Sequence, residues 1–541
     1  MSEKTANILK IAPAGKSNSA QSIVGEFVSN ELVFGVVGPV GSGTSTIATA
    51  LEQLLRQKGY ETVLIKARDI IVEWAKATGF QVTAGKKMEE VVLLQNAGDE
   101  MRKQDSSAIA VKFVESIRNE RARQKGEKLE IDTVVEPDGK KRAYIIDSLR
   151  NPAEAMLLRR VYAEAFCLIA VVCEEELRKD RLTQKYKDAG QDQIEEFMDR
   201  DEKAEHKYGQ QVADTFHLAD FFVDNTADRL IHGAGKVEKS NPEWTVPEEL
   251  GRLVDLLAHS KIVRPRANET AMNHAYGARM RSACLSRQVG AAIVDEQGNV
   301  VATGTNEVPR AGGGVYGGVF LSGSEADPTP DHDHRCYVHG GYCRNNREQN
   351  EIIKELFSSI AELKSIKLDN DLIKRVRKSR IGQLIEFSRS VHAEMDALLS
   401  AARQGKSPMA CRLFVTTFPC HNCARHIVAA GVDEVQFIEP YLKSKAIPLH
   451  GDAITTSKDK WASPSALKRK GKDEPGQVLF RPFTGVAPRL YRRAFYKDRE
   501  LKDNFNGGLL AEFGPPEGNG ANEPLRVSYP QMETTLMKAQ Q

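Results

Sequence analysis

The sequence predicts two α/β modules: a doubly wound, parallel-sheet module first, and a second layered α/β module after it. Three observations predict this. Between residues 30 and 258, apolar strand-like runs alternate with helix-like stretches. The polar stretch KIVRPRANET, at 261–270, then interrupts the pattern. From about Ala271 a helix, a hairpin and further strand–helix alternation follow. A length of 541 residues suits several domains, and 41% hydrophobic residues suffice for real cores. The expected division is a flexible leader at 1–28, one domain over 29–260, a second over 270–505 with an insertion at 311–380, and a mostly disordered tail at 506–541.

The elements follow in order. ELVFGVVG, from Glu31, reads as a buried strand ending at glycine. A Gly/Ser loop leads into TIATALEQLLRQKGY, an amphipathic helix with Gly59 as its stop signal. ETVLIKA is a second strand, 88–125 is helical, and KRAYIIDS is a buried strand ending in an acid. Asn151-Pro152 opens a helix, AFCLIAVVC is another buried strand, and FHLADFFVDN holds a short last one. In the second module, AYGARMRSACLSRQ reads as helical and VGAAIVDEQGNVVATGTN as a hairpin. Residues 311–330 are a Gly/Ser/Pro-rich loop, and 348–390 are largely helical. HAEMDALLSAARQG is a helix ending at Gly405, CRLFVTT a strand, CHNCARHIVAAG a helix and EVQFIE a strand.

Composition excludes some classes. The longest clean apolar run, Phe166–Cys173, falls far short of the roughly 20 residues that span a bilayer. The N-terminus, MSEKTANILK, has no apolar signal core, so a cytoplasmic protein without a membrane partner is expected. A net charge of +2 neither demands nor excludes nucleic acid. The eight cysteines are few and cluster with histidines, which points to metal rather than disulfides.

The strongest motif is His392-Ala393-Glu394 followed by Pro419-Cys420-His421-Asn422-Cys423. One imidazole and two thiolates leave the fourth tetrahedral Zn²⁺ position open for water, as a catalytic zinc requires. Zinc brings the pKa of such a water toward neutrality. Glu394 is placed to move its proton without being a ligand. This is the H-x-E…P-C-x-x-C signature of zinc nucleobase deaminases.

Further residues narrow the match. GTNEVPRAG, at Gly304–Gly312, follows a strand as does the G-x-N-x-x-P-x-G loop of deoxycytidylate deaminases. AMNHAYGARMRSACLSRQVGAAIVD and EPYLKSKAIPLHGDAI are similar to other segments of that family. The region 270–455 thus resembles the dCMP deaminase branch of the cytidine deaminase fold, which implies an α/β/α sandwich. The resemblance implies that His392, Cys420 and Cys423 hold zinc, that Glu394 is catalytic, and that Asn306 hydrogen-bonds the sugar. It also implies a homo-oligomer, usually a hexamer. An Asn in a turn after a strand is equally a common structural device.

A weaker motif lies in the first module. Gly38, Gly41, Ser42, Gly43, Thr44 and Ser45 have the spacing of G-x4-G-K-[ST] between a strand and a helix. Backbone N–H groups of such a loop cradle phosphate. Thr44 stands where lysine is expected, which favours nucleotide binding over phosphoryl transfer. Ser45 and Asp147 are candidate supports for Mg²⁺. A P-loop, kinase-like module before a dCMP-deaminase-like one resembles the bacterial anti-phage dCTP deaminases. That resemblance implies deamination of dCTP, and often dCMP, and depletion of cytosine nucleotides during infection. Two alternatives remain: a polynucleotide cytidine-editing deaminase and a bifunctional nucleotide kinase–deaminase.

His332, His334, Cys336, His339 and Cys343 form a second cluster, a candidate for a second, structural zinc or simply loop residues. From Lys468 to Arg499, ten basic residues face three acids with Tyr491, Phe495 and Tyr496 between them. This stretch suits nucleotide phosphates or RNA, or a solvated face or subunit contact.

Overall fold

Two six-stranded sheets carry the molecule, joined by a strand that the second half of the sequence lends to the first sheet. The computed structural model describes residues 29–508 except 83–86, 131–132, 203, 205, 207, 233–237, 318–332, 339, 442, 460, 472–475, 498–500, 504 and 506, and also 530, 533, 534 and 537. The expected leader at 1–28 and most of the expected tail lie outside these residues.

The first sheet is built from β1 (Glu31–Val37), β2 (Glu61–Lys66), β3 (Arg142–Asp147), β4 (Phe166–Val172) and β5 (Phe221–Asp224), in the parallel order β2-β3-β1-β4-β5. β1, β3 and β4 are buried along their whole length, because helices cover both faces, so their sequences read as continuous apolar runs. The helix Thr44–Gln57 buries Ile47, Ala48, Leu51 and Leu55 as one stripe against the sheet. The helix Pro152–Tyr162 starts at Asn151, whose side chain accepts from Ala153 N–H, with Pro152 in the first turn. The helical stretch expected over 88–125 is two helices, Met88–Gln104 and Ala108–Lys125, broken at Asp105. Asp105 is extended there, and its carboxylate accepts from Ser107 N–H, a side-chain-to-backbone bond that competes with the helix. A short pair, β6 (Leu230–His232) and β7 (Glu238–Ser240), was not legible as strand in the sequence.

The second sheet contains β8 (Gly290–Val294), β9 (Val300–Thr305), β10 (Arg412–Thr417), β11 (Glu434–Glu439), β12 (Ile454–Thr455) and β13 (Val478–Pro482), in the order β12-β13-β11-β10-β8-β9. β8 and β9 form the expected hairpin, closed by Asp295, whose carboxylate accepts from Gln297 and Asn299 N–H. β10 runs antiparallel to β8 and parallel to β11, so the sheet is mixed. The helix expected from Ala275 to Gln288 ends at Arg279, and 280–289 are loop.

β14 (Gly485–Val486) corrects the expectation of a purely parallel first sheet. It pairs antiparallel with β5, Gly485 opposite Phe222 and Val486 opposite Phe221. Both sheets therefore are mixed, and one hydrophobic cluster runs through both units, including Phe222, Phe483, Ala275, Ala292 and Phe414. Buried Glu269 ties the joint. Its carboxylate takes both Arg252 Nη1 and Nη2 at 2.6 and 2.7 Å, Arg266 N–H at 2.7 Å and Val486 N–H at 2.8 Å. Within the expected tail, Glu533 is fully buried and pairs with Arg121, which also holds Glu31.

Glu269→Leu leaves Arg252 buried without its carboxylate, which costs about 3–5 kcal/mol. Denaturant unfolding of the full chain checks this. A loss under about 1 kcal/mol would show that the knot is dispensable, and Glu269→Gln, which keeps an acceptor, loses less than Glu269→Leu.

Candidate functional site

The helix Ala393–Arg403 begins at His392, and the helix His421–Ala429 begins at Cys420. Both lead residues have extended backbone and occupy the N-cap position; His392 makes no side-chain bond to its own first turn, which leaves its imidazole to the site. Cys420 Sγ accepts from Cys423 N–H at 3.4 Å. This fixes both thiols on one side of the helix start, where the helix dipole favours thiolate.

The three donors converge. His392 Nδ1 lies 3.3 Å from Cys420 Sγ and 3.4 Å from Cys423 Sγ. They are the one group of His, Cys, Asp and Glu among the described residues that meets as potential metal ligands. Zn–N near 2.0 Å and Zn–S near 2.3 Å in a tetrahedron put the donors about 3.5 Å apart, so the set fits Zn²⁺. Three protein ligands leave one position, and His392, Cys420 and Glu394 line a pocket of about 300 Å³ on that side.

The titrating groups of the site perturb one another through burial and close contact. The hydrogen bond from Cys423 and the neighbouring His392 hold the Cys420 thiol down at about 4. Cys423 is pushed up by its bond to Cys420 and by burial. Burial opposes charge on His392, but Cys420 and Glu394 beside it raise it to about 9. Burial raises the Glu394 carboxyl to about 7, near the value a group needs to accept and return a proton at neutral pH.

Asn306 also lines the pocket, but its amide serves the chain itself. Oδ1 accepts from Val289 N–H at 2.6 Å, and Nδ2 donates to Arg287 O at 2.6 Å. It therefore clamps the loop that carries Arg287. Arg287 and Lys443 are the two cations lining the pocket among the described residues, and the sequence reading missed both as site residues. Lys443 sits in the EPYLKSK segment that the sequence had singled out, while Arg287 carried no signal beyond its neighbourhood. Arg287 stands over the Tyr441 ring at 5.9 Å and 3.6 Å from Glu439.

Of the second cluster, His332 and His339 lie outside the described residues. His334, Cys336 and Cys343 do not meet as a metal-ligating trio among the described residues. Cys343 Sγ instead contacts Ser286 Oγ at 3.3 Å. The basic stretch is partly consumed by structure: Arg469 pairs with Glu296, Arg481 with Glu434 and Arg493 with Glu164.

At the glycine-rich loop, Ser45 Oγ donates to Asp147 Oδ2 at 2.7 Å, so the two expected Mg²⁺ supports are adjacent. Gly41 and Gly43 have φ of 81° and 87°, and a Cβ at Gly43 would stand 2.4 Å from Asn225 Nδ2. Thr44 opens the helix in the lysine position and is buried. Asp201 Oδ2 accepts from Val40 N–H at 2.8 Å, and Arg150 bridges Asp201 to Gly38 O. No helix among the described residues is long and apolar enough to cross a membrane.

Comparison with known proteins matches residues 265–439 to the cytidine and deoxycytidylate deaminase zinc-binding region. The chain is 27% identical over 181 residues to the deoxycytidylate deaminase of Enterobacteria phage T2, which covers 32% of this chain and 81% of the phage protein. It is 28% identical over 197 residues to a UPF0200/UPF0201 protein of Archaeoglobus fulgidus, covering 36% of this chain and 50% of that protein. The solved dCMP deaminase from cyanophage S-TIM5, in complex with dCMP and dUMP, aligns with 19% identity over 41% of this chain and 99% of that one, at a TM-score of 0.21. The second unit thus contains a zinc-type cytidine/deoxycytidylate deaminase domain.

Metal analysis of the purified full chain checks the ligand set. Replacing both Cys420 and Cys423 by Ala removes one zinc equivalent per chain and abolishes deamination. Unchanged zinc content in that variant would place the metal elsewhere, and a second equivalent in the unaltered chain would support a metal at the His334–Cys343 cluster.

Proposed function

We propose that this chain deaminates dCTP, dCMP or both to the deoxyuridine nucleotide, with ammonia as the other product. The observation that carries this is the His392–Cys420–Cys423 triangle beside buried Glu394, in a pocket that also presents Arg287 and Lys443. His392, Cys420 and Cys423 hold Zn²⁺, which as a Lewis acid makes hydroxide available near neutral pH. Glu394 takes a proton from the attacking water and passes it to N3 while the water oxygen bonds to C4; it then carries the remaining hydroxyl proton to the 4-amino group, whose bond to C4 breaks as ammonia leaves. The low-dielectric wall around its carboxyl makes both directions of transfer accessible.

Arg287 and Lys443 supply positive charge for a substrate phosphate, which a free base or nucleoside lacks. Asn306 acts on that charge indirectly, by holding the backbone at Arg287 and Val289. The glycine-rich loop of the first unit binds a regulatory nucleotide, with Mg²⁺ at Ser45 and Asp147. Fusion of such a loop to a deoxycytidine nucleotide deaminase supports a role in antiviral, anti-phage defence by depletion of cytosine nucleotides.

Ammonia release and product identity decide the reading. The substrates are dCTP, dCMP, CTP and a single-stranded oligonucleotide, each with and without ATP, GTP and dTTP. Turnover of dCTP or dCMP is expected. Glu394→Ala keeps its zinc and loses about 10²–10⁴-fold in kcat. Turnover of the oligonucleotide alone would overturn the free-nucleotide reading, and full activity of Glu394→Ala would remove Glu394 from the mechanism.

A further inference from the structure

The glycine-rich loop lacks the lysine that such loops use against the outer phosphates, yet the cleft above it is not short of charge. A cavity of about 510 Å³ is lined by Val40, Gly43 to Thr46, Asp147, Lys66 and Lys185. Lys66 ends β2 and is in register with Asp147 at the end of β3. Lys185 ends the helix Glu175–Lys185 and lies over the Tyr186 ring at 5.0 Å. Neither lysine is ion-paired among the described residues. The arginines in the same cleft are committed. Arg150 holds Asp201 and Gly38 O, and Arg181 holds Asn225 O and Cys173.

One buried polar atom of this loop region points to a ligand. Asp147 is 8% exposed and lines the cleft, and its Oδ1 has no partner. Nine-tenths-buried oxygens without partners are costly unless something occupies the site. An acid oxygen next to the Ser45 hydroxyl suits a divalent cation that also binds phosphate.

A second hollow, of about 540 Å³, adjoins the first and shares Ser45 and Thr46 with it. Trp244 and Arg229 line it, with the Arg229 guanidinium 5.7 Å from the Trp244 ring centroid. Trp244 is fixed to the loop. Its Nε1 donates to Asn225 Oδ1 at 2.9 Å, and Asn225 Nδ2 donates to Ser42 O at 2.7 Å. An aromatic ring held at a set distance from a phosphate loop is a platform for a planar base.

We infer that the first unit binds a magnesium-bound nucleoside triphosphate, with Lys66 and Lys185 together replacing the lysine absent at Thr44 and with the base on the Trp244–Arg229 platform. This rests on the reading of the loop as a nucleotide site and specifies how that site works without its usual cation. The triphosphate lies across Gly43–Ser45, its outer phosphates toward the two lysines and its base toward the tryptophan.

Calorimetry on the full chain tests it, with MgATP, MgdTTP and magnesium tripolyphosphate as probes. At least one nucleotide binds the unaltered chain. Lys66→Met with Lys185→Met weakens that nucleotide and tripolyphosphate alike, by tenfold or more. Adding Thr44→Lys to this double variant restores affinity to within about threefold, a rescue that a merely structural role would not give. Trp244→Ala weakens the nucleotide but not tripolyphosphate. If the unaltered chain binds none of the probes, both the lysine clamp and the regulatory-nucleotide reading fall, while deaminase activity is judged independently by ammonia release. If a nucleotide binds and the double lysine variant binds it equally well, the clamp falls and the nucleotide reading stands. Absence of rescue, in a variant of unchanged melting temperature, overturns the replacement of the missing lysine. Equal weakening of both kinds of probe by Trp244→Ala overturns the base platform.

Discussion

A single buried carboxylate, Glu269, sets how the two units meet. It accepts two guanidinium N–H bonds from Arg252 on the helix Val246–Leu257, which packs in the first unit's core. It accepts Arg266 N–H, so it also caps its own helix Ala267–Arg279. It accepts Val486 N–H, so it fixes β14 where that strand extends the first sheet. A carboxylate in this position is costly unless every lone pair is used, and here four donors use them. Two consecutive helices and a strand 217 residues further along therefore meet at one geometry, and one apolar cluster is shared by the two sheets.

The deaminase site follows from a second constraint, the approach of backbone to backbone across the β8–β9 hairpin. A Cβ at Gly290 would stand 2.0 Å from Ala275 O, and one at Gly304 would stand 2.2 Å from Ala393 O. Gly304 pairs with Ala291, so Gly290 and Gly304 face opposite sides of the sheet. Each lets one helix sit directly on its strand, Ala267–Arg279 on one face and Ala393–Arg403 on the other. The second helix begins at His392, so the glycine on β9 sets the depth of the imidazole. β10 runs beside β8 and delivers Cys420 just beyond its end. The zinc triangle is thus a product of sheet order and of two positions where no side chain fits.

What the sequence made legible was what is local. His392, Glu394, Cys420 and Cys423 sit within a few residues of helix starts, and the H-x-E and P-C-x-x-C signature marked them as one candidate site. β1, β3 and β4 were legible because burial on both faces leaves uninterrupted apolar runs. What escaped was non-local. β14 is a two-residue strand, and nothing in GV at 485–486 announces pairing with Phe221 and Phe222. The break at Asp105 depends on one side chain that competes for a backbone N–H. Asn306 was legible as a pocket residue, but its commitment to Arg287 and Val289 required the loop 280–289 to fold back. The burial of Glu533 escaped because it depends on Arg121 and Tyr162, which lie far away in the sequence.

The end of β5 joins a contact across the units to the glycine-rich loop. Asp224 pairs with Lys458 of the second unit, and the next residue, Asn225, holds both Ser42 O in the glycine-rich loop and the Trp244 indole. One peptide unit thus separates a contact across the units from a contact that shapes the glycine-rich loop. Proximity does not by itself establish communication, since coupling is a free energy between two sites and is reciprocal. It does fix what coupling would require. A ligand that repositions the glycine-rich loop through Asn225 would have to shift the Asp224–Lys458 pair to reach the second unit by this route. A deoxycytidine nucleotide bound at the zinc site must in turn change the affinity of the loop for its own ligand by the same factor. A deaminase with a separate phosphate-binding unit gains control of its activity only to the extent that this factor differs from one.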